Sequence, residues 1–487
     1  MSKRFFALLP GLAAFAAALL MIPRFSYDDP DTFWHYELGR YMIDHRTILH
    51  HAIHTFYGDR LPYIPHEYAF QIVLALLVRV FGWPGAYLLT ASCLLLTIAG
   101  MDRLARVSRR ELGLDERRDP VLLLILLPAA CWVYYCYFTI RPQMVSAWMI
   151  VWFFVYLREF RHVPRIRFAV LTGALSLGIA NFHAGIWPVA AVFTVMAAIE
   201  ALRERQWTKR HAWTYGVIFL AGLLNPGGLK SLLFIFAVTK GRFNLLINEW
   251  QPIEFSKPEN LPILLALMFF AAILPFALRG KLFRYLFMLG ILYLGVSSYK
   301  QNLFLWLFLP YFAAALPDSV PMLNKNRFRL PIRTRWLLLP AAAGLVINAI
   351  SVFAVPPTVN AGEYPVKEMD YILRQAPDGV RPRVMAPYGA SGYVMYRGGD
   401  VLCDGRQDPF VTDESKGALG WNAFQRSMYG FGEYLPEIVA SDHPDYVIAR
   451  SGVSAKLLQD WTRTFGEPAY RGDFGVVFRI GKPTGSE

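Results

Sequence analysis

Apolar runs close to the length of a membrane-crossing helix recur along this chain, and that repetition narrows its possible folds more than any other feature. A bilayer core is crossed by about 20 apolar residues in helical form, with a working range of roughly 17 to 25. Inside lipid the backbone has to satisfy its own hydrogen bonds, which selects helices for such runs. Spans are predicted near 5–23, 84–101, 120–138, 143–157, 168–182, 184–200, 213–225, 261–278, 282–298, 302–316 and 336–355, about eleven in all. Composition agrees: 55% hydrophobic and only 17% charged residues, with mean hydropathy +0.33, exclude a water-soluble globule of 487 residues. The bilayer is therefore the first partner.

The net charge of +13 does not indicate nucleic acid, because the basic residues lie in short blocks between apolar runs instead of gathering on one soluble face. They report sidedness instead. The run 67–83 carries Arg79 and is bounded by His66 and Pro84; as an interfacial helix it leaves the parity of later loops unchanged. On that reading about 24 of the 49 Lys and Arg fall in cytoplasmic segments, against about 11 in the opposite loops, which is the sign of the positive-inside rule. The N-terminal run follows Lys3 and Arg4, lacks a clear small-x-small cleavage site, and is read as an uncleaved anchor. Cys93, Cys131 and Cys136 lie in apolar segments and Cys403 stands apart, a pattern that is neither a disulfide framework nor a zinc site.

With the sides assigned, the unusual polar residues collect on the outer face. The first outer loop, 24–83, holds Asp28, Asp29, Asp31, His35, His66 and Glu67. Later outer turns hold Arg141, Asn181, His183, Asn225, Glu249, Lys300, Gln301 and Asn302. Convergence of this kind points to a common cavity lined by several spans. Each group also has a plainer reading. Asp31 suits a helix N-cap, Arg141 or Lys300 an interfacial anchor, and Asn225-Pro226-Gly227-Gly228 a helix stop. Six of the ten histidines lie between His35 and His66, yet His66-Glu67-Tyr68-Ala69-Phe70 lacks the second histidine of a zinc hydrolase helix.

From about 356 to 487 the pattern changes to short alternating strands and helices with turns at Gly and Asp, the signature of a small soluble α/β domain. An odd number of spans places it outside the cell membrane. The predicted architecture is thus an α-helical polytopic membrane domain, 1–355, followed by an extracytoplasmic α/β domain, 356–487.

The segments DPDTFWHYELGRYMID, YIPHEYAFQIVLALL, RPQMVSAWMI, ANFHAGIW, LLNPGGLKSLL, NEWQPIEF and SYKQNLFLWLFLP, taken in order, resemble the bacterial integral-membrane glycosyltransferases of the GT-C superfamily. A more distant resemblance extends to protein O-mannosyltransferases, the aminoarabinose transferase of lipid A and the oligosaccharyltransferase catalytic subunit. Asp29-Pro30-Asp31 matches the acidic pair that follows the first span in that superfamily, with Asp28 leaving the register of the base open. The resemblance implies an inverting transfer from a polyprenyl-phosphate sugar to a hydroxyl of a glycan, lipid or protein, at the outer face of a bacterial inner membrane. It implies Asp29 and Asp31 as the catalytic carboxylates. Arg141 and Lys300 would meet the leaving phosphate, and His35, His66, Glu67, Asn181, His183, Glu249 and Asn302 would line the substrate. A divalent cation, Mg or Mn, held by Asp29, Asp31 and His66, stays open. A transporter or flippase is the alternative of another class, as is a non-catalytic protein of envelope assembly; a transporter predicts charges near the centres of spans, where this sequence has few.

Overall fold

The computed structural model describes residues 29–116, 136–240, 247–278, 282–319, 349–356, 358–406, 408–411, 418–429 and 434–480, with isolated positions near 126–133, 343–347 and 431–432. Asp28 and the first predicted span lie outside the described residues, and the spans at 120–138 and 336–355 are described in fragments. Two compact units divide the chain. One holds Ser26–Gly82, Phe234–Arg242 and Pro357–Glu487; the other holds Trp83–Leu233 and Phe243–Pro356.

In chain order the first elements are α1 (Asp31–His45), α2 (Tyr68–Phe81), α3 (Pro84–Glu111), α4 (Pro142–His162), α5 (Ile166–Phe182), α6 (Trp187–Arg203), α7 (Lys209–Leu223), α8 (Leu229–Lys240), α9 (Leu261–Leu278), α10 (Leu282–Ser297) and α11 (Leu303–Ala313). Proline opens α3, α4 and α6, where its fixed φ fits and its missing N–H has no helical partner to lose. Thr208 and His211 form a reciprocal cap at the start of α7. α8 was not expected from the hydropathy pattern.

α3 is the main departure within the helical unit. Its apolar stretch was expected to end near 101, but the helix continues to Glu111 and is followed by Gly113 at φ 70°. The charged segment sustains the helix because its arginines and glutamate are neutralised by neighbouring helices. Arg158 of α4 meets Glu111 at 2.5 Å and Glu200 of α6 at 2.5 Å, while Arg110 reaches Glu159 at 2.6 Å. Arg284 of α10 donates to Ser108 Oγ at 2.9 Å and to the Tyr311 carbonyl of α11 at 3.1 Å. Arg103 also pairs with Glu159. Much of the basic charge read as loop thus sits inside the unit, paired.

Among the described residues, α3 and the 184–203 helical segment are long and apolar enough to cross a membrane, and six further apolar helices are shorter. The helices turn apolar side chains outward: Ile166 is 78% exposed, Trp213 76% and Leu224 67%. Such a surface is costly in water and suits hydrocarbon.

The other unit is built on a five-stranded sheet. Its strands are β1 (Arg383–Met385), β2 (Asp400–Val401), β3 (Tyr446–Arg450), β4 (Tyr470–Arg471) and β5 (Gly475–Arg479), in the order β2-β1-β3-β5-β4. β1 runs parallel to β2 and β3, with Val384 opposite Tyr446, and β5 runs antiparallel to β3 and β4. The β2 edge is extended by the segment between α1 and α2, where Phe56 N–H donates to the Val401 carbonyl at 2.9 Å and Val401 N–H to the His54 carbonyl at 3.0 Å. Trp34, Leu38 and Met42, spaced four apart on α1, enter one core with Val384, Val394, Ile448 and Val477. The segment 29–82, expected as part of the membrane domain, therefore shares its core with the C-terminal segment.

Candidate active site

Asp29-Pro30-Asp31 heads α1. Asp29 Oδ1 accepts the backbone N–H of Asp31 at 3.0 Å, and the Asp29 carbonyl accepts from Thr32 at 3.2 Å. This is an Asx-type turn that closes on the helix start. Asp31 was expected as a possible N-cap; Pro30 takes that place at φ −61° and Asp31 becomes the first helical residue. The reason is proline's preset φ, which begins the helix one residue earlier. Both carboxylates lie at the positive end of the helix dipole, which favours anionic groups.

The Asp31 carboxylate is bounded closely. Trp34 Nε1 donates to Asp31 Oδ1 at 2.9 Å, one turn along the helix. A Cβ on Gly405 would stand 2.2 Å from the same oxygen, and one on Gly392 would stand 2.7 Å from the Pro30 carbonyl. Either position needs glycine for the approach alone.

Glu67 lies between two histidines, 3.9 Å from His35 Nδ1 and 3.7 Å from His66 Nε2. His66 Nδ1 is 2.8 Å from the Ile64 carbonyl. Beside this group Asp408 is buried and accepts the Ile64 N–H at 2.5 Å. Burial pushes the Asp408 carboxyl up to about 7, against the opposing pull of His66 and Arg406. His54 and His51 go to separate partners. His54 sits 3.4 Å from Glu37 and 3.7 Å from Asp400, with burial lowering its pKa, and His51 lies against the Asp59 carbonyl. No group of three or more His, Cys, Asp or Glu among the described residues is arranged to hold a metal ion.

In the helical unit, Arg141, Glu249 and Lys300 come together. Glu249 takes Arg141 at 2.8 Å on one oxygen and Lys300 at 3.0 Å on the other, and Lys300 Nζ stands 4.6 Å from the centre of the Trp250 ring. Burial alone would raise the Glu249 pKa, but the two cations outweigh it and hold the carboxyl at about 2. The cluster carries a net single positive charge, beside an aromatic face.

No family model matches the sequence, and no curated protein matches it. Solved structures do. ArnT from Cupriavidus metallidurans in the apo state superposes with TM-score 0.57 at 14% identity over 98% of both chains. The same ArnT bound to undecaprenyl phosphate gives 0.53 at 14% identity, again over 98% of both chains. The oligosaccharyltransferase of Archaeoglobus fulgidus in the apo form gives 0.57 at 12% identity, covering 92% of this chain and 70% of that one. This chain shares the fold of ArnT and of that oligosaccharyltransferase.

Within that fold the other sequence-predicted residues are committed to internal bonds. Asn181 Nδ2 donates to the Leu177 and Leu224 carbonyls at 2.7 and 2.9 Å, tying α5 to the end of α7. His183 Nδ1 shares a 2.6 Å hydrogen bond with Ser146 Oγ of α4. Asn302 is fully buried; it donates to the Gly295 carbonyl at 2.7 Å and accepts from Trp306 at 2.7 Å and Tyr137 at 3.1 Å. Asn225 braces its own turn through the carbonyls of Gly222 and Gly228. Asn181, His183 and Asn302, read as lining the substrate, tie helices together. Trp34, Gly392, Gly405 and Asp408 were not singled out. The i, i+3 spacing of Asp31 and Trp34 is the one local signal that marked any of them.

Proposed function

We propose that this protein is a glycosyltransferase that moves a sugar from a polyprenyl-phosphate-linked donor to an acceptor hydroxyl, with inversion at the anomeric carbon. The observation that carries the reading is the Asp29-Pro30-Asp31 pair, closed by its own turn at the head of α1 and bounded by Trp34 and Gly405, in a chain of GT-C fold. Undecaprenyl phosphate bound to the similar ArnT supports a lipid-phosphate donor.

In the reaction the acceptor oxygen forms a bond to the anomeric carbon while the bond from that carbon to the phosphate oxygen breaks. The acceptor proton passes to a carboxylate of Asp29 or Asp31, a general-base contribution of about 10²- to 10⁴-fold. The electron pair leaves with the lipid phosphate, whose charge calls for cations such as Arg141 and Lys300. With Glu249 already paired to both, these cations are pre-oriented before a phosphate arrives. The bilayer supplies the donor, and the first outer loop works at the outer face of a bacterial inner membrane.

Transfer from a radiolabelled polyprenyl-phosphate sugar, followed in purified wild type, Asp29→Asn and Asp31→Asn, tests this. Loss of turnover with retained donor binding supports the base assignment. Undiminished turnover in both variants refutes it.

A further inference from the structure

Resting on the glycosyl-transfer reading, the inference here deepens it at one carboxylate. We propose that Trp34 and Gly405 are positioning residues for Asp31, and that the turn following β2 thereby belongs to the catalytic apparatus.

An aspartate at the first helical position has several open rotamers, and Asp31 is confined by two independent contacts. The first is the 2.9 Å bond from Trp34 Nε1 to Oδ1. The indole is itself immobilised: it is 4% exposed, packs into the loop and sheet core, and its centre lies 3.7 Å from that of the His35 ring. The second is the backbone at Gly405, where an added Cβ would come within 2.2 Å of Asp31 Oδ1 and 2.6 Å of Trp34 Nε1. A side chain there would displace the carboxylate, the indole or both.

The turn is not a loose wall. Arg406 and Asp404 flank Gly405 and form a buried ion pair at 2.6 Å, with the Arg406 backbone N–H on the same carboxylate at 2.9 Å. Arg406 Nη2 also donates to the Ile53 carbonyl at 2.9 Å, so the turn is bonded back to the first outer loop. A carboxylate that receives a proton must be placed to a fraction of an ångström, and about 1 Å of misplacement costs on the order of 10²-fold in rate. The sheet supplies that rigidity through one glycine.

The test uses the purified full chain with a radiolabelled polyprenyl-phosphate sugar. Trp34→Phe keeps most of the ring and removes the N–H; Gly405→Ala adds one methyl. Each is expected to lower kcat about 10- to 100-fold with KM for the donor within about threefold. Trp34→Phe also moves the acidic limb of the kcat profile to higher pH, since the lost donor no longer favours the ionised carboxylate. The double variant loses no more than the worse single, and Trp34→Phe adds no loss in an Asp31→Asn background, because both act through one group.

Wild-type kcat and an unmoved acidic limb in a folded Trp34→Phe, with Asp31→Asn inactive, would remove the positioning role and leave the transferase reading standing. Full turnover in both Asp29→Asn and Asp31→Asn would instead remove that reading. Should Trp34→Phe fail to fold, Gly405→Ala decides: unchanged kcat overturns the proposal, and a selective kcat loss supports it.

Discussion

Asp408 Oδ2 accepts the backbone N–H of Ile64 at 2.5 Å, joining a buried carboxylate of the C-terminal segment to the connection between α1 and α2, two residues before His66. The folded protein holds this carboxyl at about 7, above its ordinary 3.8, chiefly through burial. The native state therefore binds the extra proton between those values, and stability falls as pH rises from about 4 to 7. Asp408→Asn keeps an acceptor and has nothing to ionise. Thermal midpoints in detergent should show the variant gaining on wild type between pH 5 and pH 8; a constant difference across that range would contradict the assignment.

Glu249 has the opposite sign. Its carboxyl lies at about 2 against an ordinary 4.5, so its contribution is fully present above 4.5 and is lost as pH falls toward 2. Glu249→Gln should destabilise at pH 6 and converge on wild type below about pH 2. In transfer assays Arg141→Ala and Lys300→Ala should each raise KM for the lipid-phosphate donor about tenfold or more, from loss of a charge-assisted bond to phosphate. Unchanged donor KM in both would place the phosphate elsewhere.

Glu111 is 3% exposed at its side chain and touches Arg158, Arg284 and Tyr311. Removing one partner of a buried ion pair strands the others, at a cost of about 3–5 kcal/mol. Glu111→Ala should show that loss in denaturant or thermal unfolding in detergent. Arg103→Ala, whose side chain is 25% exposed, should lose less. Equal effects would mean that burial does not set the strength of this network.

Sidedness is open to direct labelling. Thr47 is exposed just after α1. With the four native cysteines replaced, Thr47→Cys in intact cells should react with a membrane-impermeant maleimide applied from outside. Protection until the cells are lysed would put the loop in the cytosol and end the outer-face reading.

The helical character of the chain was legible because hydrocarbon admits few backbone solutions, so apolar length alone announces helices such as 143–157, 168–182 and 261–278. The acidic pair was equally visible, since Asp29-Pro30-Asp31 is contiguous and its proline starts a helix by local geometry. Local rules failed where distant charges intervened: α3 runs past its apolar stretch because Arg158, Glu159 and Arg284, far along the sequence, neutralise its end. They failed again at Gly405, whose meaning lies in a contact with Asp31 made 374 positions earlier in the chain. Apolar length, turn chemistry and the carboxylate pair are properties of neighbouring residues, and the amino-acid order determined them. Which carboxylate is gripped, by which indole and against which turn, was decided by the tertiary structure, because those contacts come into being when the first loop and the sheet bury a common core.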